Sequence, residues 1–213
     1  MAIDANILRL YLVTDPHLCA KLGVENTVEA AARGGISMVQ LRDKDASTAE
    51  RVALAMRLKP ICAQFRIPLV INDDVDAALQ SDVDGVHIGQ EDMAANLARE
   101  KVGKNKILGL SVETVEAARQ TPGDIVDYVG ISPIYATPTK TDHKQPIGFH
   151  GLAEICAASA VHTVAIGGLK IADCARVMAT GVNGMAVVSA ICGQDDPYAA
   201  TVGLREALDS LDV

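Results

Sequence analysis

Four short segments of this chain combine carboxylates, cations and amides at close spacing. They are QLRDK at Gln40–Lys44, NDD at Asn72–Asp74, GQED at Gly89–Asp92 and TPTK at Thr137–Lys140. Brought to one place, they would set Arg and Lys beside several aspartates. A magnesium diphosphate group needs that mixture: hard carboxylate oxygens hold the cation, and Arg or Lys neutralises the remaining phosphate charge. Each segment also has an ordinary reading. Asp73 or Asp74 could N-cap the helix that follows, and Asp92 could cap another. Arg42 and Asp43 could pair in solvent, and Lys140 could be a surface charge. The shared context favours a site, because three of the segments directly follow a β-forming run and the fourth lies in a long loop.

A second anion site is suggested by Gly167–Gly168 and Ser189, each at the end of another β-forming run. Backbone N–H groups of such loops bind phosphate in many barrels, and a glycine lets the phosphate approach closely. The ordinary reading is a tight turn. His87 lies within a run and reads as a buried, hydrogen-bonded histidine. His143 reads as solvated. Ser111 has no obvious His–Asp partners and reads as a hydrogen-bond donor, not a nucleophile. No GxGxxG or Walker-type loop is present, which removes the simplest nucleotide readings.

The elements that must position these residues recur with a rhythm. Eight runs end near Asp15, Arg42, Asn72, Gly89, Ser111, Ser132, Gly167 and Ser189, at intervals of 17 to 35 residues. Each interval holds one helix and two short loops, which predicts a (β/α)₈ barrel in a single domain spanning 1–213. The expected strands are Leu8–Asp15, Ile36–Asp43, Pro68–Ile71, Gly85–Ile88, Lys106–Leu110, Asp127–Ile131, His162–Ile166 and Gly184–Val188. Such barrels carry their chemistry at the C-terminal ends of the strands, where the polar segments fall. Helices are expected over Glu25–Arg33, closed by Gly34 and Gly35, and over about Pro197–Leu208. Ser47 and Glu50 form a capping box for a long helix. Its apolar face includes Val52, Ala55, Met56 and Ile61, and Pro60 is expected to end or bend it. The connection from Ser132 to His150, with three prolines, is long enough to suggest function.

Composition narrows the partners. The chain has 213 residues and a hydrophobic content of 49%, enough for a large core. An aromatic content of 3% argues against a base-stacking nucleic-acid surface. A net charge of −8 disfavours nonspecific polyanion binding. Five scattered cysteines without a CxxC pair suggest reduced thiols and a cytoplasmic protein. No signal peptide and no membrane span are expected.

Taken in order and spacing, QLRDK, NDD, HIGQED, the GLS of Gly109–Ser111, TPTK, AIGG and VVSAI resemble the thiamine-phosphate synthase family. The resemblance runs from about Tyr11 to Ile191. It implies a (β/α)₈ barrel that joins a pyrimidine diphosphate to a thiazole monophosphate, releasing diphosphate and making thiamine phosphate. By matching motif, Gln40, Arg42 and Lys44 resemble residues holding the pyrimidine diphosphate, with Leu41 and Asp43 in the same segment. Asn72, Ser111 and Lys140 match further contacts to that substrate. Asp73 and Asp92 match Mg²⁺ ligands. Thr137, Pro138 and Thr139 resemble the thiazole-phosphate segment, as do Gly168, Val188 and Ser189. Arg42, Lys140 and Ser111 are the residues expected to act in the chemistry. The implied partners are these two small molecules, with a homo-oligomer also expected. Competing readings are a thiazole tautomerase, a non-enzymatic thiamine-phosphate-binding barrel and, from fold analogy alone, a sugar-phosphate isomerase or lyase.

Overall fold

The computed structural model describes residues 3–136 and 145–211. Eight parallel strands close into a barrel in sequence order: β1 Leu10–Val13, β2 Met38–Leu41, β3 Leu69–Asn72, β4 Gly85–Ile88, β5 Ile107–Val112, β6 Tyr128–Ile131, β7 His162–Ile166 and β8 Gly184–Val187. β1 pairs with β8 as well as β2, so no sheet edge is left open. The helices that return the chain are α1 Val24–Gly34, α2 Thr48–Phe65, α3 Val75–Ser81, α4 Ala95–Val102, α5 Val115–Gln120, α6 Gly148–Ala158, α7 Cys174–Met178 and α8 Pro197–Asp209.

The short Val/Ile/Leu-rich runs become strands because both of their faces are buried. Alternation separates two cores. Leu10 and Leu12 of β1 join the layer between strands and helices, while Tyr11 and Val13 point inward. The inner core is small: Leu8, Tyr11, Val13, Met38, Val70, Tyr128, Val164 and Ala186.

A polar residue just before each even-numbered strand closes the lower end of the barrel. Ser37 Oγ, Asp84 Oδ2, Asp127 Oδ2 and Asn183 Oδ1 accept hydrogen bonds from the amides of Leu10, Leu69, Leu108 and Thr163, each at 2.8–2.9 Å. Every one of these amides belongs to the first or second residue of an odd-numbered strand. A single-residue polar stop is thus repeated four times around the ring. Arg99 of α4 reinforces one copy, reaching Asp127 at 2.8 Å and three backbone carbonyls.

Most expected elements form, with shifted ends. The first two strands are shorter than expected, because the backbone leaves the ladder before Asp15 and Asp43. α1 includes Gly34, and Gly35 alone provides the left-handed C-cap at φ 102°. Ser47 and Glu50 form the expected capping box. Pro60, however, does not end α2, which runs on to Phe65. A proline inside a helix costs about 3 kcal/mol. Here buried Leu58 and Cys62 anchor the helix on both sides of it. Met56 is 54% exposed rather than packed, because the buried row is Ala55, Leu58 and Cys62 and Met56 lies one step around the helix. α6 begins at Gly148, slightly earlier than the expected end of the long connection.

Candidate active site

The upper mouth of the barrel encloses a cavity of about 310 Å³. Its wall includes Gln40, Arg42, Lys44, Asn72, Asp73, Asp92, Ser111, Gly168, Val188 and Ser189. Residues as far apart in sequence as Gln40 and Ser189 thus face one space. Leu41 and Asp43 do not share it. The Leu41 side chain is buried in the outer core. Asp43 Oδ1 accepts from the amides of Asp45 and Ala46, both at 3.2 Å, and its carbonyl accepts from Arg51 Nε at 2.9 Å. Among the described residues no ion pair joins Arg42 to Asp43. Thr14 Oγ1 accepts from the Arg42 amide at 3.0 Å, which aims Arg42 and Lys44 inward. Thr137, Pro138, Thr139, Lys140 and His143 lie outside the described residues.

The neighbouring aspartates of NDD take separate roles. Asp74 is the N-cap of α3, accepting from Ala77 N at 2.8 Å, and also binds Thr48 at 2.8 Å and Arg51 at 2.9 Å. Burial works to raise its pKa, but these hydrogen bonds and the Arg51 charge outweigh it and hold the carboxyl below its usual range. Asp73 is turned the other way by a left-handed backbone, φ 63°, anchored by its amide on the His87 carbonyl at 2.7 Å. The Asn72 amide donates to its Oδ2 at 2.5 Å. Asp92 caps no helix; α4 starts after Ala94. Its Oδ2 instead accepts from the Gly89 amide at 2.7 Å, which folds the GQED turn back toward Asp73. Partial withdrawal from water raises the Asp73 pKa, and the adjacent Asp92 carboxylate raises it further, to about 7; Lys44 and Asn72 oppose the shift.

Two facing carboxylates fit Mg²⁺. That ion commonly takes one or two protein carboxylates and completes its octahedron with water and substrate phosphate oxygens. Among the described residues no group of three or more His, Cys, Asp or Glu is arranged to cage a metal. The pair is therefore suited to a cation shared with a phosphate ligand.

The opposite side of the mouth is built from backbone. Gly167 and Gly168 have φ 118° and 73°, a conformation few side chains tolerate. The Gly167 carbonyl accepts from the Tyr135 amide at 3.0 Å. Ser189 follows β8, and Lys170 Nζ donates to its Oγ at 2.8 Å. Lys170 was missed from the sequence. Its position two residues beyond the glycine pair was the available signal.

The cavity floor holds a second surprise. Gln40 Nε2 donates to Tyr11 Oη at 2.7 Å, Tyr11 Oη meets Tyr128 Oη at 2.9 Å, Tyr128 Oη meets His87 Nδ1 at 2.9 Å, and His87 Nε2 meets Ser111 Oγ at 3.0 Å. His87 is buried and hydrogen-bonded as expected, at 7% exposure. Ser111, for which the sequence offers no obvious His–Asp partners, meets this histidine. The arrangement is no catalytic triad, because the far side of His87 meets a phenol and not a carboxylate. Gly109 and Gly130 leave room for the chain: a Cβ on Gly109 would collide with Tyr128 and His87, and one on Gly130 would lie 3.2 Å from His87 Cε1. Burial raises the pKa of both tyrosines, so their hydroxyls stay protonated. An unsatisfied group in such a chain would cost about 1–3 kcal/mol. Among the described residues no buried side-chain polar atom lacks a partner. Tyr11 and Tyr128 were missed from the sequence; only their inward places in the strand alternation mark them.

Comparison with known proteins identifies the family. The family model for thiamine monophosphate synthase matches residues 10–191. Thiamine-phosphate synthase of Psychrobacter sp. (strain PRwf-1) is 49% identical over 200 residues, covering 92% of this chain and 93% of that protein. The solved thiamine phosphate pyrophosphorylase from Pyrococcus furiosus superposes with a TM-score of 0.88 at 33% identity, covering 97% of this chain and 98% of that one. A 3-hexulose-6-phosphate synthase, at TM-score 0.70 and 18% identity, shares the fold. With a matched family model over most of its length and a mouth that gathers the motif residues, the chain belongs to the thiamine monophosphate synthase family.

Proposed function

We propose that this protein is a thiamine-phosphate synthase. It would join 4-amino-2-methyl-5-(diphosphooxymethyl)pyrimidine to a thiazole ethyl phosphate, forming a C–N bond and releasing diphosphate. The observation that carries the reading is the two-sided mouth. Arg42, Lys44, Asp73 and Asp92 stand on one side, and Gly168, Val188 and Ser189 on the other, around one cavity. A diphosphate and a monophosphate each find a suitable wall, with their reacting ends between them.

The division of labour follows from chemistry. Mg²⁺ held by Asp73 and Asp92 would supply a Lewis acid for the departing diphosphate. Arg42 and Lys44 neutralise the remaining charge, and Lys140 joins them in this reading. The Gly168 and Ser189 side holds the monophosphate, with Lys170 at its rim. Holding both substrates places the thiazole nitrogen in line with the pyrimidine CH₂. The electron-rich aminopyrimidine stabilises positive charge on that carbon as diphosphate leaves. The protein then needs no covalent nucleophile, and His87, which meets Ser111 Oγ through Nε2, has the Tyr128 hydroxyl at Nδ1.

The five cysteines are free, which supports the reducing cytoplasm as the site of action. Among the described residues no helix is long and apolar enough to cross a membrane. Exposed Met56 and Leu79 support a homo-oligomer, which sedimentation velocity would test.

The test is purified protein with both substrates and Mg²⁺. Thiamine phosphate and diphosphate should appear in equal amounts, stop on chelation and resume when Mg²⁺ is restored. Binding of both ligands without turnover would make the protein a binding barrel. Isomerisation of the thiazole phosphate alone would make it a tautomerase. Either result would overturn the proposal.

A further inference from the structure

The backbone-built side of the mouth has hydrogen-bond donors but no formal charge of its own. Every described residue that β7, β8 and the turns after them give to the cavity wall is uncharged, between Val164 and Leu169 and between Ala186 and Ser189. A phosphate monoester held there carries a charge of about −1.5 to −2 at pH 7. Backbone N–H groups can satisfy its oxygens, but they bring only partial positive charge.

Lys170 stands beside that wall. Its side chain crosses from the turn after β7 to the turn after β8, where Nζ donates to Ser189 Oγ at 2.8 Å. An ammonium has three donors and no acceptor, so the direction of this bond is fixed. Ser189 Oγ accepts, and its own hydroxyl proton is left to donate. Ser189 lines the cavity, so an anion is the partner that proton suits. Among the described residues the Lys170 ammonium has this one partner and enters no ion pair, which leaves two N–H donors.

The lysine backbone is clamped from behind. Asp173 Oδ2 accepts from the Lys170 amide at 2.9 Å, and the Asp173 amide donates to the Lys170 carbonyl at 2.9 Å. Asp173 Oδ1 accepts from the Tyr135 hydroxyl at 2.9 Å. Tyr135 is itself held by its amide on the Gly167 carbonyl and by an edge-to-face contact with Phe149, 5.7 Å between centroids. Both oxygens of Asp173 are thus engaged by the loop, and the ammonium reaches Ser189 instead.

We propose that Lys170 is a binding residue for the monophosphate: its ammonium and the Ser189 hydroxyl act on one phosphate, and the charge selects the dianion over the monoanion. The proposal rests on the reading that the monophosphate lies against Gly168 and Ser189. A hydroxyl that accepts from an ammonium becomes a better donor to the phosphate, because the two bonds polarise each other. The exposed, flexible lysine stem lets the ammonium turn to a phosphate oxygen while the clamped backbone stays in place.

Calorimetric titrations of the full-length protein in Mg²⁺ test it, with thiazole ethyl phosphate and inorganic phosphate as probes. Lys170→Gln keeps a donor for Ser189 and removes the charge. It should weaken both ligands by about tenfold, the scale of one charge-assisted hydrogen bond. Lys170→Arg should restore most of that loss. The pH profile separates charge from packing. The dianion fraction of the thiazole phosphate grows about tenfold from pH 5 to pH 7.5, since its second proton leaves near pH 6. Wild-type affinity should follow that rise, and the rise should flatten in Lys170→Gln. A lysine that only braced the loop would change affinity without changing this slope. Asp73 also titrates in this range, but it is common to all three proteins. Pyrimidine-diphosphate binding should stay nearly unchanged, and an equal loss there would overturn the assignment to the monophosphate side. Unchanged affinity or an unchanged pH slope in Lys170→Gln overturns the proposal. Wild type that binds inorganic phosphate through Lys170 but not the thiazole phosphate would sink the functional reading and leave the anion site standing. Wild type that binds neither overturns both.

Discussion

The two ends of this barrel use the same kinds of residue to opposite effect. At the lower end Ser37, Asp84, Asp127 and Asn183 each hold an amide from the first two residues of the neighbouring strand. Their polarity is consumed locally. At the upper end Arg42, Lys44, Asp73 and Asp92 face a common cavity. The contrast reappears within two adjacent residues: Asp74 is bound by a helix amide, a hydroxyl and a guanidinium, whereas the left-handed backbone at Asp73 swings its carboxylate toward Asp92. A carboxylate is structural here when amides, hydroxyls and guanidinium groups of the fold surround it, as at Asp74, and available for chemistry when it also faces the cavity, as at Asp73 and Asp92.

The sharpest test of that contrast substitutes one aspartate at each end. Asp92→Asn removes charge but keeps an oxygen for the Gly89 amide. It should lower kcat/KM by roughly 10²- to 10³-fold at moderate Mg²⁺, with an unchanged melting temperature. A variant that keeps full activity under limiting Mg²⁺ would return Asp92 to a turn residue. Asp127→Ala should do the reverse. It strands the Leu108 amide and takes the carboxylate partner from Nη2 of the largely buried Arg99, so unfolding in urea should show a loss of about 2–4 kcal/mol. The kcat of the folded enzyme should not move; a large drop would mean that the lower end communicates with the mouth.

Gly168→Val probes the backbone-built side. Its φ of 73° and a Cβ only 3.0 Å from Tyr135 Cβ make the position hostile to a branched residue. Thiazole-phosphate binding should weaken by roughly tenfold, with about 1–3 kcal/mol of backbone strain, while pyrimidine-diphosphate binding stays nearly the same. Separate titrations decide it, since equal losses would indicate general damage to the mouth.

The smallest expected effect is a pH dependence that distinguishes the neighbouring aspartates. The Asp73 pKa is raised in the folded protein to about 7, so the stability it contributes is complete below its unfolded pKa, near 3.9, and is lost as pH rises through 7. Asp74, with a lowered pKa, contributes stability above the unfolded value that is lost in acid. In chelator, Asp73→Asn should therefore raise the melting temperature relative to wild type at pH 8 more than at pH 5. Mg²⁺ should erase that difference by occupying the pair. The same difference with and without Mg²⁺ would separate Asp73 from the metal.

Much of this was legible in the chain. Strand positions follow from short β-branched runs that are buried on both faces, and the helix starts at Ser47 and Pro197 follow from capping chemistry that acts within four residues. The motif segments marked Gln40, Arg42, Lys44, Asn72, Asp73, Asp92 and Ser111, all of which reach the cavity wall. Local signals failed where a distant neighbour decides. Pro60 reads as a helix end because the competing term, burial of Leu58 and Cys62 against the barrel, lies outside the helix. Leu41 and Asp43 share a motif with Arg42, yet the strand's alternation and the turn amides take them away from the mouth.

By itself, then, the sequence determined the barrel and the motif residues that line its upper mouth, since periodicity, capping and strand-end placement are short-range properties. Only the tertiary structure decided which of Asp73 and Asp74 is the cap, that Lys170 meets Ser189, and that Gln40, Tyr11, Tyr128, His87 and Ser111 form one hydrogen-bonded chain. Those outcomes depend on which side chains from distant strands arrive within hydrogen-bonding distance once the barrel closes. Nothing in the local sequence encodes that distance, because it is fixed by the register of eight strands together.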